Sequence, residues 1–92
     1  MAKFLVVHPV PIPATIEEAT PIGKAFKGLS NKDAYWVKSW ALFNEEGKIT
    51  KILCQWDAKD LHSVKKLTDK VEAIPTEGIY PMGIFHGEDF RE

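Results

Sequence analysis

The sequence predicts an α+β domain of four strands and two helices in the order strand, helix, strand, strand, helix, strand. Three observations predict it. From Tyr35 to Trp56, two runs rich in β-branched, aromatic and apolar residues flank the turn Asn44-Glu45-Glu46-Gly47, which is the pattern of a β-hairpin. A helix-like segment stands on each side of that hairpin, and one further apolar run lies at each end of the chain.

The elements follow in order, with strands expected near 3–8, 35–43, 48–56 and 79–85 and helices near 15–28 and 58–71. Phe4 to His8 is a short apolar run, and Pro9, Pro11 and Pro13 are expected to end it in an extended, exposed loop, because each lacks the N–H that a ladder needs. Thr15 and Glu18 have the spacing of a capping box, with Ile16, Ala19, Ile22, Gly23 and Phe26 recurring behind them at helical period. Pro21 either kinks the first turns or opens a later helix capped by Thr20; Gly28 is the expected stop.

A four-residue hairpin turn would set Ser39 opposite Ile52 and Val37 opposite Cys54 on a small, apolar side of the sheet. Trp36, Lys38, Trp40 and Leu42 would then share the other side. Asp57 and Asp60 bracket the start of the second helix, whose buried stripe is Leu61, Val64, Leu67 and Val71, with His62, Lys65 and Lys66 toward solvent. Ile79 to Phe85 is the last strand, and the acidic tail from Gly87 either frays or embraces a neighbour.

With right-handed crossovers this order is the ferredoxin-like βαββαβ sandwich, a four-stranded antiparallel sheet of order 4-1-3-2 with two helices on one face. The other face is left bare and carries tryptophan. Packing it against a second copy closes two sheets into a dimeric α/β barrel, so a homodimer is expected.

Composition narrows the function classes. A chain of 92 residues is one small domain whose core is thin. Its net charge of −1 gives no electrostatic reason for a nucleic-acid partner, and no apolar run reaches the ~20 residues that span a bilayer. The lone Cys54 excludes an internal disulfide and agrees with a reducing, cytoplasmic setting, which is the expected location. No Gly-rich phosphate loop, Ser-His-Asp arrangement or Cys-x-x-Cys occurs.

The candidate site residues are few. His8, at a strand end, is a candidate ligand or proton carrier, and Cys54 is a candidate soft metal ligand or thiol, each weighed against an ordinary packing role. The expected register places those two on the order of 10 Å or more apart, too far for one mononuclear metal within a protomer. Tyr35, Trp36, Trp40, Trp56 and Tyr80 form an aromatic set that can line a cleft, with Lys38, His8 or His62 supplying polarity, or can serve as core and subunit contact.

Phe4-Leu5-Val6-Val7-His8, together with Trp36-Val37-Lys38-Ser39-Trp40 and the join Cys54-Gln55-Trp56-Asp57-Ala58-Lys59-Asp60, resembles a family of small ferredoxin-like proteins of unknown function that includes a bacterial nickel-binding protein. The resemblance implies a dimer, binding of nickel or another transition metal, and His8, Ser39, Cys54 and Asp57 at family-pattern positions. The chain departs from that pattern in its proline-rich first loop and at Lys59, where the family usually has proline. A weaker likeness, through Asp60-Leu61-His62, is to muconolactone isomerase. It implies the alternative of an isomerase or cofactor-free monooxygenase acting on a small cyclic organic acid, with no catalytic residue carried across.

Overall fold

A computed structural model describes residues 1–91. The elements are β1 (Ala2–Ala14), α1 (Ile16–Leu29), β2 (Ala34–Phe43), β3 (Ile49–Ala58), α2 (Leu61–Thr68), β4 (Gly78–Pro81) and a short 3-10 turn at Gly87–Phe90. They form an α+β fold with one antiparallel sheet of order β2-β3-β1-β4, the expected order read from its other edge.

The hairpin turn forms because Asn44 Oδ1 accepts the backbone N–H groups of Glu46 and Lys48, while Gly47 takes the positive φ of 78° that a side chain would resist. Thr15 and Glu18 cap α1 reciprocally, with the Glu18 carboxylate accepting from the Thr15 N–H at 2.9 Å and Thr15 Oγ1 accepting from the Glu18 N–H at 3.1 Å. α1 runs unbroken through Pro21, whose exposed position leaves the unbonded carbonyl one turn earlier to solvent. Asp60 caps α2, its Oδ1 accepting from the Ser63 N–H at 2.8 Å.

Several boundaries differ from the sequence reading. β1 does not stop at His8 but continues as extended chain to Ala14. The three prolines alternate, so their missing donors share one edge, where β4 has already ended at Val7, and residues 10–13 leave the β3 ladder before Ala14 rejoins it opposite Ile49. α2 spans eight residues rather than fourteen, and Leu61 at its start is exposed, so its buried residues are Val64, Leu67 and Thr68. β4 ends at Pro81 instead of reaching Phe85.

The hairpin register is displaced by two residues, placing Ser39 opposite Cys54 and Ala41 opposite Ile52. Val37 is an extra residue bulged between Trp36 and Lys38. The bulge inverts the alternation, so Trp36 joins Ser39 and Ala41 on the helix side and leaves Lys38, Trp40 and Leu42 on the other. Trp36 is therefore not on the bare face where an unbulged strand would have put it.

Both helices bury their apolar residues against one side of the sheet: Phe26, Val64 and Leu67 cluster with Phe4, Val6, Cys54 and Trp56. Phe26 is the only buried residue of α1, and its ring meets those of His8, Trp36 and Trp56 at centroid distances of 5.3, 6.3 and 5.9 Å. Phe26→Ala is expected to cost about 3 to 5 kcal/mol, most of the stability of so small a domain. Urea unfolding checks it; a loss under ~1 kcal/mol would show that α1 is held by something else.

Candidate functional site

α1 is anchored in its second half, by Phe26, and its first half stands off the sheet. The residues there that line the space are Ile16, Ala19, Thr20, Ile22 and Gly23, and the Trp36 ring comes within van der Waals range of a Cβ placed at Gly23. Below them the sheet presents Trp36, Ser39 and Ala41 from β2 and Ile52 and Cys54 from β3. The result is a cleft of about 300 Å³ whose walls carry no ionisable side chain other than the Cys54 thiol. Ile22, Ala19, Ile49 and Ile52 also border a second apolar hollow of about 340 Å³, closed by Val10, Ile74 and Pro75 on the far side of the helix.

One corner of the cleft is polar. The Trp36 indole N–H donates to Ser39 Oγ at 2.9 Å, and the Ser39 hydroxyl donates to the Cys54 sulfur at 3.1 Å. A hydroxyl has two lone pairs and the indole uses one, so Ser39 retains one acceptor position. Burial pushes the Cys54 thiol up to about 11, an effect that outweighs the Ser39 hydrogen bond. At neutral pH it is a thiol and not a thiolate, which lowers its reactivity as a nucleophile.

His8 is fully buried on the same side of the sheet, opposite Ile52 and packed on Phe26. Its Nδ1 lies 3.0 Å from the Pro75 carbonyl oxygen; since a carbonyl only accepts, Nδ1 carries the proton and Nε2 is an acceptor without a protein partner. Burial holds its pKa below 6.5, the Pro75 hydrogen bond opposing this only in part. The imidazole is neutral at physiological pH and stands beneath the helix, outside the cleft lining.

The sequence-derived candidates are thus divided. His8, Ser39 and Cys54 share the helix side, and because Val6 pairs with Cys54 and His8 with Ile52, His8 and Cys54 are diagonal neighbours at about 7 to 8 Å between Cα atoms, closer than expected because β1 continues past His8 and sets it near the middle of β3. Asp57 lies on the opposite face, opposite Lys3 in the ladder and 3.6 Å from its amine. Lys38, Trp40 and Tyr80 also lie on that face, Trp40 opposite Leu53 and Tyr80 opposite Leu5. Tyr35 is drawn aside by Lys27, whose amine sits 3.7 Å above its ring.

Among the described residues, no three His, Cys, Asp or Glu side chains converge on a point that would hold a metal ion. The donors His8, Ser39, Cys54 and Asp57 do not fit a mononuclear centre, because Asp57 lies across the sheet from the other three. What the sequence reading missed was the contribution of α1. Ala19 and Gly23, four residues apart on one helical face, were the available sign that a helix leaves space above its sheet. Compared with known proteins, the chain matches no family model, no curated protein and no solved structure.

The neutrality of His8 has a pH signature. The unfolded imidazole takes up a proton near 6.5 and the folded one only at lower pH, so the stability due to this group is complete above 6.5 and is lost as pH falls from there toward the lowered native value. Urea midpoints measured from about pH 8 to about pH 5 should decline through that window, and His8→Leu should flatten the decline. A wild-type midpoint that rises on acidification would contradict the assignment.

Proposed function

We propose that this protein is a homodimeric ferredoxin-like binding protein for a small, neutral, largely apolar ligand held between α1 and the sheet. The observation that carries the reading is an apolar cleft with a polar corner at Ser39, the Thr20 hydroxyl on its helix wall donating to the Ile16 carbonyl. Its volume reaches the lower end of the ~300 to 1,000 Å³ typical of small-molecule sites, and apolar walls with one hydrogen-bonding anchor are the usual form of such sites. The free acceptor position on Ser39 selects a ligand bearing a hydroxyl, and a planar aromatic alcohol can stack on Trp36 while donating to it.

The same lining disfavours the alternatives. An organic acid entering this cleft would find no cation, and His8 does not reach the lining to move a proton, which argues against a lactone isomerase or a monooxygenase of that substrate class. A transition metal such as nickel would lack a convergent donor set within one protomer.

Dimerisation is supported by the bare side of the sheet. Trp40, Leu42 and Tyr80 are 43 %, 44 % and 49 % exposed there, beside half-buried Leu5 and Leu53. The protomer is a slab only 19 Å thick, one sheet and one helix layer, so this face of the sheet has no helix packed on it, although Val7 and Gln55 near its centre are buried. Face-to-face pairing of two such slabs is the dimeric α/β barrel.

Titration with 2-naphthol should quench tryptophan fluorescence saturably, with 2-naphthoate at least about tenfold weaker because its carboxylate would be buried unpaired. Ala41→Phe fills the cleft and should abolish the response while circular dichroism stays native. Equal binding by wild type and Ala41→Phe would sink the cleft as the site. Trp40→Ala should weaken self-association with little change in the folding transition. Sedimentation checks this, and a variant as dimeric as its parent would remove Trp40 from the interface.

A further inference from the structure

The tail after β4 is the part of the chain whose apolar residues the protomer does not use. Phe85 and Phe90 are 84 % and 67 % exposed, their rings at a centroid distance of 6.0 Å from each other, and Ile84 is exposed beside them. Between the phenylalanines lie Glu88, paired with Arg91, and Asp89, which faces no basic side chain among the described residues. The radius of gyration of 14.1 Å exceeds the ~12 Å of a compact chain of 92 residues, consistent with an arm held away from the body.

On the bare sheet face, at the far edge from β4, lies the complement. β2 exposes Trp40 and Leu42, and Lys38, whose amine is 5.2 Å above the Trp40 ring, faces no carboxylate among the described residues. Resting on the homodimer proposed above, we propose that each tail crosses to the second copy, seating Phe85 and Phe90 against that copy's Trp40 and Leu42 and setting Asp89 beside its Lys38.

Geometry favours a second copy over the tail's own sheet. β4 and β2 are opposite edges of the sheet with β1 and β3 between them, so the tail's own β2 is three strand spacings away, about 14 Å. A twofold axis running along the strands at the centre of the sheet sets β4 of one copy over β2 of the other; Pro81 leaves the ladder level with Trp36, so each tail reaches Lys38 and Trp40 by turning back along the β2 of the second copy. Four strands ~4.8 Å apart and averaging about nine residues give a flat footprint of roughly 600 Å², the same order as the ~800 Å² of accessible surface per partner in a stable interface. The tails enlarge that contact.

Sedimentation equilibrium on the full chain tests this with five proteins: wild type, the double variant Phe85→Ser/Phe90→Ser, Lys38→Asp, Asp89→Lys, and the charge swap Lys38→Asp/Asp89→Lys. Wild type is expected to be a dimer. The Phe pair lies outside the core, so its double variant should keep a native near-ultraviolet spectrum while its dimer dissociation constant rises about 100-fold. Each charge reversal should weaken the dimer about tenfold, and the swap should restore it to within about threefold of wild type. A dimeric wild type whose Phe variant associates equally well, or a swap no better than its single reversals, overturns the exchanged tail and leaves the dimer standing. A wild type that stays monomeric at millimolar concentration overturns the dimer and the tail together.

Discussion

The packing of Phe26 is the contact on which the rest of this structure depends. α1 brings one fully buried side chain to the sheet, and that ring is met by a ring from each of the three strands beneath it: His8 from β1, Trp36 from β2 and Trp56 from β3. Behind that anchor the helix presents Gly23 and Ala19 to the cleft, and a Cβ at Gly23 would already lie 3.5 Å from the Trp36 ring. The helix wall of the cleft therefore lacks bulky side chains at these two positions. A larger residue at Ala19 would exchange the space for packing, and one at Gly23 would press on Trp36.

The bulge at Val37 divides the tryptophans of the hairpin between two tasks. One inserted residue turns Trp36 beneath α1, where its ring lines the cleft and its N–H engages Ser39, while Trp40 remains on the uncovered side with Lys38. Were Val37 paired in a regular ladder instead of bulged, both indoles would lie on the bare face and the cleft would lose its aromatic wall and the donor that orients Ser39. A second irregularity, the extra residue Thr50 on β3 between the turn and Ser39, brings Ser39 opposite Cys54. Two irregularities, one in each strand of the hairpin, thus set the chemistry of the cleft and the composition of the exposed face.

Burial makes the interior uncharged. His8 and Cys54 have the side chains that sequence inspection first associates with proton transfer and metal binding, yet the low dielectric around each favours its neutral form, one by lowering and one by raising its pKa. The one strong orienting contact on His8 comes from the Pro75 carbonyl, which fixes which nitrogen carries the proton and ties the loop before β4 to β1. Recognition in such an environment is by shape and a single hydrogen bond, which is why a neutral ligand suits it better than an acid or a cation.

Much of the architecture was determined by local sequence. The Asn44–Gly47 turn, the Thr15–Glu18 capping box and the Asp60 cap act over three or four residues, and the chain order of the elements then restricts the sheet to the observed strand order. The tertiary structure decided the rest: where β1 gave up its ladder among the prolines, that Val37 would bulge, and that Ala19 and Gly23 would overhang Ser39 and Cys54. The physical reason is one of range. Turns and caps are closed by hydrogen bonds between near neighbours, whereas register and the space between a helix and a sheet are settled by which distant side chains can pack together, and only the folded chain makes that comparison.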